Sequence, residues 1–520
     1  MLGRFYWAVF GALALVLLSA PAHASWYEAQ SDHFVIYADT RGEDLRDFAE
    51  MLERYHAAMV LETGRQVERP SPSNRLTVYM VGSYDNLRDL YSGNRNSRVG
   101  GFYIPKAEGS VAFVPNIRIS GGDTDFALTV LLHEYAHHFL IGTARHAMPR
   151  WLSEGAAEYF ASARFNRDGS VDIGLPNNDR AYEISQAAEV SLAELFDYDL
   201  YRERRKGSSR YTAYYGRSWL LFHYLAFSET RRGQLQTYWR AVTSGMDSTE
   251  AAEQVFGDLE RLEKEVSTYG RQRKMKGIRY NEDQIKIGAI GLRELSDGHA
   301  AAMPVIIRSK RGVRDNDIEQ HLNEAREIAA EHSADSWAQA ALAEAEFDAG
   351  NDTLAVSAAD RALLIDSSQK TALVQKGKAL FRMAQEAEDR DSAVQLAMRP
   401  FEQLNALESD NTQPLIYFYR SFVDRGVPPP DGARHALERA SQLAPFDHSL
   451  ALQTAFSLAS EGKLDLARFV LRPVAANPHG GKLVANAEAF LIALKGRPDG
   501  ERVNARIVIR DDEASEADED

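Results

Sequence analysis

The sequence predicts a multidomain fold: an α+β domain followed by an all-α helical-repeat domain. Three observations predict it. Between residues 26 and 122, short β-type runs alternate with segments of helical period. Beyond them, to about residue 270, the apolar spacing is helical. After Ser336, small residues return at intervals of about 34 residues, the period of a stacked helix-turn-helix unit. These shifts divide the chain into a first domain over 25–270, a connector over 271–335 and repeats over 336–500.

The two ends read as something other than fold. Residues 1–24 combine Arg4, an apolar run from Phe5 to Leu18 and the small-residue signal Ala22-His23-Ala24. That is the pattern of a secretory signal peptide cleaved after Ala24. The run falls short of the roughly 20 residues a membrane span needs, and no later stretch is apolar enough to replace it. The expectation is therefore an exported chain without a span. The tail 501–520 ends in the acidic run Asp511 to Asp520 and is expected to be disordered and solubilising. The 520-residue chain has no cysteine, which excludes a disulfide framework and leaves stability to buried cores. A net charge of -15 without a basic tract argues against nucleic acid and anionic lipid as partners.

Element by element, His33 to Ala38 is a strand pattern, and Glu43 to Leu61 carries helical spacing. Leu76 to Val81 is a second strand, followed by a short helix over Asp85 to Tyr91. Phe102 to Ile104 and Ser110 to Val114 flank Pro105 to Gly109 and read as a hairpin. A helix then starts near Asp123 or Thr124, either of which can cap it, and ends at Gly142. Leu128, Leu131, Leu132, Tyr135, Ala136 and Phe139 form its buried stripe. Pro149 opens the next helix. Ser191 to Phe196 and Tyr211 to Leu225 are further helical pieces.

Arg271 to Lys276 is a basic, polar connector, and Ile285 to Leu295 is expected as a short strand pair without an assigned partner. The first repeat unit shows Ala343, Gly350, Ala355 and Ala362 at its small positions. A second begins near Lys370, with Gly377 and Ala406, and carries an insertion. A third, Pro414 to Pro445, has Ser421, Ala433 and Ala440. A fourth, running to Pro478, has Ala455, Gly462 and Ala467. The spacing is similar to that of degenerate tetratricopeptide repeats, which implies a curved solenoid with a groove for a protein partner; a plain helical bundle is the competing reading.

The chemistry sits in His133-Glu134-x-x-His137. Two histidines one turn apart leave the same helix face and can meet one ion. Glu134 can lie beside the open position, where a general base belongs. A catalytic zinc takes three protein ligands and keeps one position open, so a third ligand must come from elsewhere. Glu154 and Glu158, four apart in Trp151-Leu152-Ser153-Glu154-Gly155-Ala156-Ala157-Glu158, share one helix face. One of them can bind the metal while the other holds a ligand histidine from behind. The bland alternative is that both are solvated helix charges.

His133-Glu134-x-x-His137 followed by Trp151-Leu152-Ser153-Glu154-Gly155 resembles the gluzincin zinc metallopeptidases, the thermolysin-like group, over roughly residues 26 to 230. The resemblance implies Glu154 as third zinc ligand and Glu158 as the carboxylate behind a ligand histidine. It also implies that Ser110 to Pro115 borders the cleft and recognises a peptide backbone. Tyr215, in Tyr-x-x-Ser-Trp, is implied as the donor stabilising the oxyanion, with Tyr211, Tyr214 and His223 as competitors for that role. Its short inter-helix loop, Gly142 to Arg150, departs from the best-known members.

The expected function is an exported zinc peptidase, periplasmic by resemblance, with one Zn2+ per chain, Glu134 as general base, and repeats that bind a partner or substrate. The alternative is a repeat-based interaction scaffold whose zinc domain is structural or residual. A zinc hydrolase acting on a non-peptide amide is the third reading.

Overall fold

The computed structural model describes residues 25–65, 67–94, 96–117, 125–144, 146–477 and 481–504. The signal-peptide segment, the caps expected at 123 and 124, Pro478 and the acidic tail from 505 onward lie outside the described residues.

The N-terminal region is α/β. Strands β1 (Trp26–Gln30), β2 (Phe34–Asp39), β3 (Leu76–Met80), β4 (Phe102–Ile104) and β5 (Val111–Val114) alternate with helices α1 (Gly42–Thr63) and α2 (Tyr84–Tyr91). Two helices follow, α3 (Phe126–Ala144) and α4 (Arg150–Ala161), then strands β6 (Arg164–Phe165) and β7 (Val171–Ile173). Helices α5 (Asn178–Gln186), α6 (Leu192–Phe196), α7 (Tyr198–Arg205) and α8 (Tyr214–Phe227) come next. After them lie α9 (Gln234–Thr243), α10 (Ser248–Phe256) and α11 (Leu259–Tyr269), then strands β8 (Ile278–Tyr280) and β9 (Gly291–Glu294).

The main sheet has the order β4-β5-β3-β2-β1-β9. The β2–β3 and β3–β5 pairs are parallel and the others antiparallel. Parallel neighbours need a crossover, and α1 and α2 lie in those two connections. Strand alternation sorts the side chains by face. Ile36, Val78 and Ala112 join the core under α1, α3 and α4. Tyr37, Tyr79 and Phe113 point to the other face and pack under the C-terminal helices. The register places these three in one row, with ring centroids 5.5 Å apart at each step, and Phe102 extends the row at 4.8 Å.

The stretch 271–335, expected as a connector, contributes two strands and two helices. β9 pairs with β1 and closes one edge of the main sheet, while β8 pairs with β7. Helices α12 (Asp297–Arg311) and α13 (Ile318–Glu331) pack on the second sheet face and on the helix that follows. Of the strand pair expected at 285–295 only one strand forms, β9, and its partner is β1. The hairpin β4–β5 forms as expected, but β5 is hydrogen-bonded on both sides, to β3 and to β4. Its backbone is largely committed, so Ser110 to Pro115 is not the free edge, and β4 is.

The C-terminal region is a run of helix pairs: α14 (Ser336–Asp348) with α15 (Asp352–Ile365), and α16 (Lys370–Ala384) with α17 (Arg390–Leu407). Then come α18 (Thr412–Val423) with α19 (Asp431–Leu443), α20 (His448–Ser460) with α21 (Leu464–Ala475), and the closing helix α22 (Lys482–Leu494). Ala343, Ala355, Ala362, Ala433, Ala440, Ala455 and Ala467 are fully buried, as small interface positions should be. A Cβ on Gly377 would sit 2.4 Å from the Phe401 ring. Ala406 is exposed instead, and Leu404 fills that packing position. The insertion in the second unit takes the form of an 18-residue α17.

This solenoid grips the β4–β5 turn of its own chain. Ala107 N–H donates to Asp447 Oδ2 at 2.7 Å, and its carbonyl accepts from Thr412 Oγ1. Glu108 pairs with Lys378, and Lys106 Nζ donates to the Lys310 carbonyl at 3.0 Å. Nearby, Ser73 N–H and Oγ both donate to Glu408, at 2.8 and 2.7 Å. Among the described residues, no helix is long and apolar enough to cross a membrane.

Candidate metal centre

Helix α3 is apolar on nearly every side, so it runs buried between the sheet and α4 rather than along the surface. Asp125 Oδ1 accepts from Ala127 N–H at 2.8 Å and caps its first turn. Leu128, Leu131, Leu132, Tyr135, Ala136 and Phe139 are all buried, as their spacing predicts. From α1, the Tyr55 hydroxyl donates to the Leu132 carbonyl at 3.0 Å, and the Tyr135 hydroxyl meets His56 Nδ1 at 2.6 Å. The helix thus has fixed rotation, which fixes where His133 and His137 point.

Pro149 takes the N-cap position of α4, one residue earlier than expected. Every residue of α4 from Trp151 to Ala161 is buried. Gly155 lets α4 approach α8 closely: a Cβ there would lie 2.5 Å from the Ser218 carbonyl oxygen. Trp151 Nε1–H donates to the Tyr238 hydroxyl at 3.0 Å. With α4 held against both α3 and α8, Glu154 is delivered to the two imidazoles.

The three groups converge. His133 Nε2 and His137 Nε2 are 3.1 Å apart, and Glu154 Oε2 lies 3.5 and 3.4 Å from them. A tetrahedral zinc with ligand distances of about 2.0–2.1 Å spaces its ligands about 3.3–3.4 Å from one another, which matches this triangle. It is the group of histidine and acidic side chains with metal-binding geometry found among the described residues. Glu154 is fully buried, and neither carboxylate oxygen has a hydrogen-bond donor among the described residues. An ionised carboxylate so placed is costly unless a cation faces it. Two imidazole nitrogens and one carboxylate oxygen suit zinc, whereas calcium would need six or more oxygens.

Behind the triangle, each histidine is held by its other nitrogen. His133 Nδ1 faces Glu158 Oε1 at 3.2 Å, and His137 Nδ1 lies 3.2 Å from Ser153 Oγ. The carboxylate of Glu158 also accepts from Arg180 Nη2 at 2.7 Å and from Asn177 Nδ2 at 3.2 Å. Burial alone would lower the His133 pKa, but Glu158 and Glu154 outweigh it and hold it well above the ordinary value. Burial would likewise raise both carboxyls. The histidine charges instead keep Glu154 far below the usual range, and His133 with Arg180 brings Glu158 to about 2. The pocket's field favours positive charge at its centre.

Glu134 is half-buried beside edge strand β4. Its charge reaches Tyr103 of that strand, whose phenol is raised by burial and then by Glu134. Tyr215 lies within reach of the Glu154 charge, and burial with that charge pushes its pKa up to about 12 against the opposing pull of Arg150 and Arg180. The Arg180 guanidinium lies 5.2 Å from its ring centroid. Tyr214 packs edge-on against Tyr215, and its buried hydroxyl has no hydrogen-bond partner among the described residues. Tyr211 is exposed and donates to Glu183 at 2.9 Å. His223 is spent in the core: its Nε2 meets the carbonyls of Gly174 and Lys276 at 2.9 and 3.1 Å, and its Nδ1 meets the Tyr269 hydroxyl at 2.8 Å. It therefore drops out as an oxyanion donor.

Sequence reasoning missed Ser153, Asn177, Arg180 and Glu183. Three of them sit on or before α5, where no local periodicity marks them; only the chain's return to α4 brings Asn177 and Arg180 to Glu158, with Glu183 behind Arg180.

A family profile described as a protein of unknown function, DUF1570, matches residues 127–245, which contain His133, Glu134, His137, Glu154, Glu158 and Tyr215. No curated protein matches. Among solved structures, the chain is similar to a MamA RS-1 ArsTM double mutant, with 17% identity, 37% of this chain and 96% of that chain covered, and a TM-score of 0.27. It is also similar to TTC0263, a thermophilic TPR protein in Thermus thermophilus: 16% identity, 34% and 92% covered, TM-score 0.30. A third is MamA 41-end from Desulfovibrio magneticus RS-1, with 16% identity, 39% and 99% covered, and a TM-score of 0.27. At such TM-scores the likeness adds nothing to what the helix pairs themselves display.

Proposed function

We propose that the α/β region is a zinc-dependent hydrolase of gluzincin type, acting on peptide bonds after export to the periplasm and carried on a helical-repeat interaction scaffold. The observation that supports it most is the triangle of His133, His137 and Glu154, closed around a buried carboxylate that no donor among the described residues satisfies. When bound, zinc acidifies water toward neutrality and polarises a carbonyl oxygen. Glu134, next to the first ligand histidine in sequence, takes the proton from the attacking water and passes it to the leaving amine nitrogen as the peptide bond breaks. Edge strand β4 offers free backbone groups to an extended substrate. Tyr215, whose phenol burial keeps protonated, can donate to the developing oxyanion.

Glu134→Gln tests this. The variant is expected to bind one zinc per chain and to lose about 10²–10⁴-fold in hydrolysis of an unfolded protein substrate. Wild-type turnover in that variant would remove Glu134 as the base.

A second reading is an interaction scaffold with a structural metal. What favours it is that the described residues beyond 296 are arranged almost entirely as packed helices, which grip the loop beside the site, so binding is the role that fold suits best. It predicts stoichiometric zinc in the wild-type chain, no hydrolysis of any peptide library, and capture of a protein partner.

A further inference from the structure

The chain behind the candidate metal centre does not stop at Glu158. Arg180, on α5, donates Nη2 to Glu158 Oε1 at 2.7 Å and Nη1 to Glu183 Oε2 at 2.5 Å. Glu183 is itself anchored: its Oε1 accepts from Gly216 N–H at 2.9 Å, and its Oε2 accepts from the Tyr211 hydroxyl at 2.9 Å. Both carboxylates are buried, so the arginine is clamped from both ends. Gly216 cannot give way. A Cβ there would lie 2.9 Å from the Arg180 carbonyl oxygen, so α5 and the start of α8 are already in contact.

Glu158 needs this bracing. A free glutamate on a helix swings through several rotamers, and only one of them lays an oxygen 3.2 Å from His133 Nδ1. Asn177 Nδ2 fixes the Oε2 atom at 3.2 Å, and Arg180 fixes the Oε1 atom. With both oxygens tied, Oε1 accepts from an Nδ1–H of His133, which selects the tautomer whose Nε2 lone pair faces His137 and Glu154.

We propose that Arg180 is a positioning residue for the metal centre, acting through Glu158 on the tautomer and orientation of His133, with Glu183 as its anchor. The proposal rests on the zinc reading above. It places part of the metal affinity on α5, a helix that supplies no ligand.

The test is zinc affinity of the full chain, measured by competition with a chromophoric chelator, together with the visible spectrum of the cobalt(II)-substituted protein. Arg180→Met is expected to weaken zinc binding by about 10–100-fold, the range for an outer-shell partner, and to alter the cobalt spectrum. Arg180→Lys, which keeps one charged donor toward Glu158, is expected to recover much of that loss. Glu183→Gln is expected to weaken binding by less than Arg180→Met. Wild-type affinity and an unchanged cobalt spectrum in Arg180→Met would overturn the proposal while leaving the zinc reading intact. A wild-type chain that takes up no zinc would overturn both. If Arg180→Met does not fold, Glu183→Gln decides: affinity equal to wild type overturns the role, and a loss supports it.

Discussion

At the residue scale, the candidate centre turns on the difference between a proposed ligand and the group behind it. Glu154 and Glu158 are one helical turn apart and look alike in sequence, and the ligand-count argument leaves open which binds the ion. Their surroundings separate them. Glu158 has three partners, from His133, Arg180 and Asn177, while among the described residues Glu154 faces only the two Nε2 atoms. Glu154→Ala is therefore expected to weaken zinc binding by more than about 100-fold, beyond the 10–100-fold typical of an outer partner. Chelator competition on the folded variant measures this, and an affinity within a few-fold of wild type would remove Glu154 from the ligand set. The pair His133 and His137 was legible because a helix brings i and i+4 together by itself. The oxyanion donor was not. Tyr211, Tyr214, Tyr215 and His223 share one short stretch, and only packing shows that His223 bonds the Gly174 carbonyl while Tyr215 feels the Glu154 charge.

Among the elements, α4 is held between α3 and α8. It carries Glu154, Glu158 and Ser153 and crosses α8 at a glycine. Its all-round burial explains why Gly155 stands where alanine would be the better helix former. Gly155→Ala puts a methyl group 2.5 Å from the Ser218 carbonyl oxygen, which must push the helices apart. The expected cost is about 1–3 kcal/mol of unfolding free energy, read as a lower urea midpoint, and a midpoint at or above that of wild type would contradict this packing. Strand identity was legible for β2, β3 and the β4–β5 hairpin, whose residues are β-branched, aromatic or alternating. It was not legible for β1, and the role of β9 was hidden altogether. These two pair across a separation of about 265 residues, as the Arg293–Glu28 bond between them also shows. A four-residue strand such as Gly-Leu-Arg-Glu acquires its meaning only from that distant edge. The same applies to β5, which reads as half of a hairpin but is interior because β3 flanks its other side.

Across the whole molecule, the solenoid and the α/β region are interlocked. The second sheet face is covered by α12 and its successors, and the β4–β5 turn lies in the grip of Asp447, Thr412 and Lys378. Repeats expected to hold a partner here hold a loop of their own chain, at Ala107 and Glu108, three and four residues beyond the end of edge strand β4. Two carboxylates in this contact have strongly displaced pKa values. Burial would raise Glu108, but Lys378, Lys310 and Lys106 bring it down to about 2. Burial would raise Glu408 as well, but Lys370 and the Ser73 donors bring it to about 2. Both folded values lie below the ordinary 4.5, so each carboxylate stabilises the contact fully above pH 4.5. That contribution fades as pH falls from about 4.5 to about 2. The contact is therefore expected to loosen in acid before the cores melt, seen as new proteolytic cleavage in the 105–110 turn by an acid-active protease. Replacing Lys370 and Lys378 together with methionine leaves burial less opposed, so the two carboxyls should titrate at higher pH and the loosening should begin nearer neutrality. A cleavage profile with the same pH dependence in wild type and variant would show that these charges do not hold the two regions together, and that the apolar contact between sheet and solenoid does so alone.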